Sequence, residues 1–428
     1  MKIRIVLVAV LTATLALAAA TTASTSPTRA QATTLRIWIQ PEARQLWPGA
    51  RDAATAAFKQ KHPDVEVKIE EQTWTEHLTK FDAALAARTA PDVVELGNTE
   101  TTKYLVAGAL SPITKSDYPN NKTWLQGLAL ACQYGGKLYC VPYWAGARAV
   151  LYRMDMFKKA GIKGTPRSLA EFRADGAKLM KKFGKDPNFS AFYFPGRYWY
   201  GAMAFVYDYG GAIARFKNGK WVGTLDSPQA VAGLTAWKKT VLPLSRANKT
   251  GDEAHPFLGA VFGKGKVAMV LANGWEWGFA LDPKAGDPAL KDVINAFPMP
   301  SHVPGKYMPT FLGGSVLGIP VTSSNKDLAR DWIAAFTSTD SMRTIATVGK
   351  QIPNTTSLAG LLASQREVAP FANAAKRSWF VPVHPKWATV ETSGVLQSLG
   401  TNILVGRGGS VKAAAEKASK QITEILNS

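Results

Sequence analysis

The stretch N-G-W-E-W at 273–277 sets two indole rings either side of a carboxylate, just past the apolar run Val267–Leu271. Flat rings beside acidic and amide groups suit a sugar, whose C–H face stacks on a ring and whose hydroxyls need directed hydrogen bonds. Other aromatics also fall in segments with no helical or strand period. They are Tyr143-Trp144 after Pro142, Tyr198-Trp199 after Arg197, Phe311 before Gly313-Gly314, and Trp379 and Trp387 around V-P-V-H-P-K. Polar residues of the matching kind are Glu42, Asn98, Thr99, Glu100, Arg148, Arg197 and Glu276. Apolar rings with a few placed polar groups are the mixture small-molecule clefts use. Each ring has a packing alternative, and for Trp74 and Trp221 packing is the preferred reading.

Hydrolysis of a glycosidic bond is the rival chemistry. It needs two carboxylates at a fixed separation, which Glu42, Glu100 and Glu276 could supply. The chain has no G-x-S-x-G, H-E-x-x-H, Walker or G-x-G-x-x-G pattern. Its five histidines are scattered and make no ligand-spaced set with a cysteine. No catalytic residue, cofactor or metal is therefore expected.

The only two cysteines, Cys132 and Cys140, flank Gly135-Gly136 in C-Q-Y-G-G-K-L-Y-C. A hairpin there would bring them together, and an oxidising compartment favours a disulfide. Two buried thiols or half of a metal site are the alternatives. The run to Arg148 is expected to end one lobe of the protein and begin the crossing to a second.

The compartment is read from the first residues. Lys2 and Arg4 precede an apolar run, Ile5–Ala20, and small polar residues follow to Ala32. This is the pattern of a secretory signal over 1–32, cleaved between about 20 and 32. A membrane anchor is the weaker alternative, because the run is short and rich in alanine and threonine. No later stretch approaches the roughly 18 apolar residues of a spanning helix. No cysteine lies near the cleavage region, so an exported, periplasmic or extracellular protein without a lipid anchor is expected.

The 428 residues, 46% hydrophobic, are enough for two ordinary domains. The formal net charge of +20 raises the question of nucleic acid, but the charges are dispersed, with no run of five basic residues. No nucleic-acid partner is expected. The basic balance is read as a solvated face, and the protein as a monomer.

Leu35–Ile39 reads as a strand, 48–60 as a helix, Val65–Glu70 as a strand, 75–88 as a helix and Val93–Leu96 as a strand. That order predicts an α/β lobe with a largely parallel sheet. Glu42 and Asn98-Thr99-Glu100 follow strands one and three, where such sheets bind ligands. Ser168 and Glu171 form a capping box for a helix to about Phe183. Phe216–Trp221 is a hairpin on Asn218-Gly219. Helices are also predicted from 256 to 263 or 265, over 325–336 and over 389–404, with 379–387 as loop.

Several ordered segments together resemble a known family. They are L-R-I-W-I with H-P-D-V-E-V, A-P-D-V-V-E-L at 90–96, G-A-L-S-P-I at 108–113, G-K-L-Y-C-V-P-Y at 136–143 and L-Y-R-M-D-M-F at 151–157. F-G-K-G-K-V-A-M-V at 262–270 leads to N-G-W-E-W, and G-G-S-V-L-G-I-P at 313–320 precedes D-L-A-R-D-W-I-A-A-F at 327–336. The chain resembles the extracellular solute-binding proteins of sugar ABC importers, the family that contains maltodextrin-binding protein. The resemblance implies an α/β, two-lobed periplasmic-binding-protein-like fold with discontinuous lobes and a central ligand cleft. It implies lobes of 33–144 with 313–358 and 145–312 with 359–428. It implies a saccharide ligand, an ABC permease as partner, and closure without chemistry. Residue by residue, Glu42 matches a polar position of the first binding loop, and Asn98 and Thr99 match sugar contacts after the P-D-V strand. Tyr198 or Trp199 matches the aromatic loop of the second lobe, Trp275 the stacking ring, and Trp379 or Trp387 the last aromatic loop. Leu96 stands where maltodextrin-binding protein has a tryptophan, and Gly146 where it has a cleft glutamate. Both departures count against maltose itself. An acidic saccharide paired with Arg148 or Arg197 stays open beside a neutral disaccharide or short oligosaccharide.

Overall fold

The computed structural model describes residues 33–406 and 409–428, so the expected leader lies outside the described residues. Alternation in L-R-I-W-I buries Leu35, Ile37 and Ile39 completely along strand Thr34–Ile39. This strand pairs in parallel with Glu66–Glu71 on one side and Val93–Gly97 on the other. Helix Pro48–Lys61, opened by a proline in its first turn, and helix His77–Ala86 make the crossovers. Leu35, Ile37, Trp47, Phe58, Trp332 and Phe336 fill a core on one face of the sheet. Phe81, Tyr104, Val94, Leu96 and Val316 belong to a second, separate core.

Beyond those strands the sheet is mixed, not largely parallel. Gly313–Gly318 runs antiparallel to both Val93–Gly97 and Cys140–Gly146, and Ile352–Pro353 completes a six-stranded sheet. The later strands return from remote segments and not through a helical crossover, so nothing obliges them to run parallel.

The chain leaves this sheet at Gly146 and enters a second one at Arg148. Arg148–Arg153 is the central strand there, antiparallel to Met269–Asn273 and Ile294–Phe297. Helices Leu169–Phe183, Trp199–Asp208, Pro228–Leu244 and Val411–Asn427 contribute to the large core around it. The Ser168 cap is present, but the reciprocal bond of the expected capping box goes to the residue before it. The Glu171 N–H donates to Ser168 Oγ at 3.2 Å, and the Glu171 carboxylate takes the Arg167 N–H at 2.7 Å.

Gly135 and Gly136, both left-handed, turn a short hairpin of Gln133–Tyr134 and Lys137–Leu138. Cys132 and Cys140 are joined across its base, with Cα atoms 5.0 Å apart.

Three local expectations change. Trp379 does not lie in plain loop: Ser378–Trp379 pairs in parallel with Thr310–Phe311, a long-range pairing no local period encodes. The helix expected over 389–404 is two helices, Trp387–Thr392 and Val395–Val405, divided by Gly394 at φ +70°. The helix expected from 256 starts later, at Leu258, and ends at Gly263, one of its two expected ends. Among the described residues, no helix is long and apolar enough to cross a membrane.

Candidate functional site

The carboxyl ends of Thr34–Ile39 and Val93–Gly97 deliver one wall of the cleft. Glu95 is 2% exposed, although it stands inside the apolar strand V-V-E-L. Its carboxylate accepts the Gln40 N–H at 2.8 Å and the Trp144 indole N–H at 3.3 Å. Burial first, then the charge of Glu42, pushes it up to about 7. Both polar side-chain atoms of Gln40 and one carboxylate oxygen of Glu42 are buried with no protein partner. Asn98 is buried and donates to the Leu312 carbonyl at 2.9 Å. Glu100 takes the Gly97 N–H at 2.8 Å and lies 2.9 Å from His77 Nε2.

Tyr143 is the extra residue of a bulge between Pro142 and Trp144, and both Tyr143 and Trp144 pack on Trp47. Tyr143 points into the core, where Trp47 donates to its hydroxyl at 2.6 Å and Phe336 packs at 4.8 Å. Trp144, 5% exposed, lies 5.6 Å from Trp47 and also meets the edge of Trp275 at 6.0 Å and 81°. The Trp275 ring crowds Gly146, where no Cβ could be placed beside it. Helix Glu276–Leu281 starts directly after Trp275, so Trp277 turns into the core and lies under Arg366. Glu276 is 4% exposed, accepts the Gly259 N–H at 2.6 Å, and is pushed up to about 7 by burial.

On the opposing sheet Arg148 pairs across the strands with Asn273, whose amide oxygen is buried without a partner. The Arg148 Nε–H donates to the Tyr198 hydroxyl at 2.8 Å. Its guanidinium lies 4.6 Å from the Tyr200 ring and 5.4 Å from that of Phe311. Among the described residues no carboxylate forms an ion pair with it. The remaining aromatics gather around this group. Trp199 stacks on Tyr200 at 3.8 Å and stands 6.3 Å from Trp379 and 6.2 Å from Trp387. Phe311 lies 5.0 Å from Trp379. The Tyr200 hydroxyl donates to Glu391 at 3.2 Å, and burial above all pushes Glu391 up to about 7. Thr99 is near enough to bear on the same carboxyl, so Glu391 faces the first wall.

The structure thus joins Trp144 to Trp275 and gathers Tyr198, Trp199, Phe311, Trp379 and Trp387 in one aromatic cluster around Arg148, with Glu42, Asn98, Thr99 and Glu276 just past strand ends of the two sheets. Tyr143 and Trp277 are core, Tyr198, Trp199, Phe311, Trp379 and Trp387 are buried as deeply as Trp277, and Arg197 is exposed and lines a separate cavity of about 600 Å³ with Thr392, Gln397 and Lys417. Sequence reasoning missed Gln40, Glu95, Tyr200, Asn273 and Glu391. Glu95 carried a visible signal, a carboxylate inside an otherwise apolar strand. Trp74 was read as packing and is 38% exposed, because it stands in the loop after the edge strand Glu66–Glu71. Among the described residues no group of three or more His, Cys, Asp or Glu could hold a metal ion.

Residues 47–343 match the family model described as bacterial extracellular solute-binding protein. The chain is 30% identical over 358 residues to the diacetylchitobiose binding protein DasA of Streptomyces coelicolor, covering 84% of this chain and 82% of that protein. Its fold matches the sugar-binding protein MalE of Xanthomonas citri with a TM-score of 0.78 at 22% identity, covering 92% and 98% of the two chains. It matches the GacH receptor of Streptomyces glaucescens with a TM-score of 0.75 at 23% identity, covering 93% and 99%. Two sheets joined by crossing segments, a polar and aromatic cleft, and a family match over most of the length agree: this chain belongs to the bacterial extracellular solute-binding proteins.

Proposed function

We propose that the chain binds a disaccharide or short oligosaccharide outside the cytoplasm and delivers it to the membrane permease of an ABC-type carbohydrate importer, by cleft closure without chemistry. The observation that carries the proposal is the pairing of Trp144 and Trp275 between orphaned polar atoms of Gln40 and Glu42 on one side and Asn273 on the other. Rings offer stacking surface, and orphaned donors and acceptors are what ligand hydroxyls would satisfy. Family membership supports a binding role and not an enzymatic one. DasA is named for diacetylchitobiose, which makes an N-acetylated disaccharide the first ligand to test.

Arg148 favours a second reading, an acidic saccharide, because it is buried and makes no direct ion pair among the described residues. Against this stand Glu95, Glu276 and Glu391 on the same cleft, so a neutral ligand with acceptor groups is preferred. The ligand contacts we assign are Gln40, Glu42, Asn98, Thr99, Trp144, Arg148, Tyr200, Asn273, Trp275, Phe311 and Glu391.

Closure would take place about the crossings near Trp144–Ala145 and Leu312–Gly313, dividing 33–144 with 313–358 from 145–312 with 359–428. Gly314, at φ +143°, leaves no room for a Cβ against the Trp144 carbonyl, which fits a close backbone crossing. Saccharide contacts from both lobes would favour the closed state by differential affinity. The working form is taken as a monomer. A panel of neutral, N-acetylated and uronate saccharides, read by tryptophan fluorescence with mass spectrometry of the supernatant, tests the proposal. Binding with unchanged saccharide supports it, and released product overturns it.

A further inference from the structure

We infer that Trp74 is an outlying stacking platform that reads saccharide chain length at the rim of the cleft. The inference rests on the saccharide reading above and extends the ligand path beyond Trp144 and Trp275. Trp74 follows Glu66–Glu71, the outer strand of the six-stranded sheet, at the same sheet end as the loops after the first and third strands. It is 38% exposed, yet its orientation is fixed. The indole N–H donates to Glu42 Oε1 at 2.7 Å, and the ring meets His77 at 5.2 Å and 83°. His77 is itself 3% exposed, with Nδ1 3.0 Å from the Trp74 carbonyl and Nε2 2.9 Å from Glu100. Three loops therefore hold one partly solvent-facing ring.

Two carboxylates that the sequence placed in the cleft thus turn out to position this tryptophan. Pre-ordering matters, because a ring already held loses little freedom when a ligand arrives. The second oxygen of Glu42 and both polar atoms of Gln40 are buried without partners beside this network. Glu95 accepts the Gln40 backbone N–H and the Trp144 indole N–H, so the polar groups of Gln40 and Glu42 lie between the inner ring pair and Trp74. An aromatic face next to unfilled hydrogen-bonding atoms matches one further sugar unit.

The test is calorimetry of wild type, Trp74→Ala and Trp74→Phe with N-acetylchito-, malto- and cello-oligosaccharides of two, three and four units. In the series that binds, wild type gains affinity with length, and Trp74→Ala removes about tenfold of that gain. Trp74→Phe, which keeps a ring but lacks the indole N–H, restores most of it. Circular dichroism and melting temperature confirm that each variant is folded. Equal loss for two and four units, or no loss, overturns the inference, even if uptake in cells falls because the ring meets the permease. Wild type binding with no dependence on length also overturns it alone. Wild type binding none of the three series, and no uronate oligosaccharide of the same lengths, overturns the saccharide reading with it.

Discussion

The ring of Trp275 occupies the space that a side chain at residue 146 would need, so Gly146 and Trp275 are two halves of one feature. The family resemblance marked Gly146 as a departure, a glycine in place of a cleft glutamate. The structure supplies its consequence: the missing side chain lets an indole from the opposing sheet reach Trp144. Gly146→Ala should push Trp275 out of place. Overpacking of this kind costs about 1–3 kcal/mol. Much of that can be relieved by moving a partly exposed ring, so the melting temperature should fall little while saccharide affinity drops at least about tenfold. Titration calorimetry with a thermal melt checks both halves.

Stability should fall as pH rises from acid to neutral. Glu95, Glu276 and Glu391 are each raised from 4.5 to about 7, mainly by burial. Between those two pH values the folded state holds protons that the unfolded chain has released, so stability decreases across that window and levels off above it. His77 acts in the same direction. Burial lowers its pKa, but the Glu100 hydrogen bond and charge raise it further, so its contribution is present below its unfolded pKa of 6.5 and lost above its folded one. A melting temperature higher at pH 5 than at pH 8 is expected, with a flatter profile in Glu95→Gln.

Loss of the Cys132–Cys140 bond should loosen the first lobe and spare the ligand. The bond closes a loop of eight positions, for which chain entropy gives about 2–3 kcal/mol. Cys132→Ala/Cys140→Ala should melt earlier, yet bind saccharide within about twofold of wild type once folded. A large change in affinity would place the hairpin in the site itself.

Arg148→Met should separate stability from binding. The guanidinium makes no direct ion pair among the described residues, and Met keeps an apolar stem of similar length against Tyr200 and Phe311. The melting temperature should stay or rise, while affinity falls at least about tenfold through loss of the donor facing Asn273 and Tyr200. If affinity for uronates alone is lost, the acidic reading is the better one.

The sequence made the strand–helix order, the Ser168 cap and the cysteine hairpin legible, because each is written in local period or spacing. It also located the aromatic segments. It did not reveal which ring of a pair faces the cleft. Tyr143 and Trp144 both pack on Trp47 across a bulge and only Trp144 reaches Trp275, while Trp275 and Trp277 part because a helix begins directly after the first. Glu391 and Tyr200 meet only after Gly394 has broken one expected helix into two. Trp74 was misread because nothing local shows that its strand is the edge of the sheet.

The central claim is that Trp144 and Trp275 clasp a saccharide between two lobes. Isothermal titration of the N-acetylated, neutral and acidic panel into wild type and Trp275→Ala tests it most directly. The account predicts that one di- or oligosaccharide binds wild type with a Kd of about 1 μM or tighter, is recovered intact, and binds folded Trp275→Ala at least about a hundredfold more weakly. Equal affinity in the two proteins, or no saccharide bound by wild type, would contradict it.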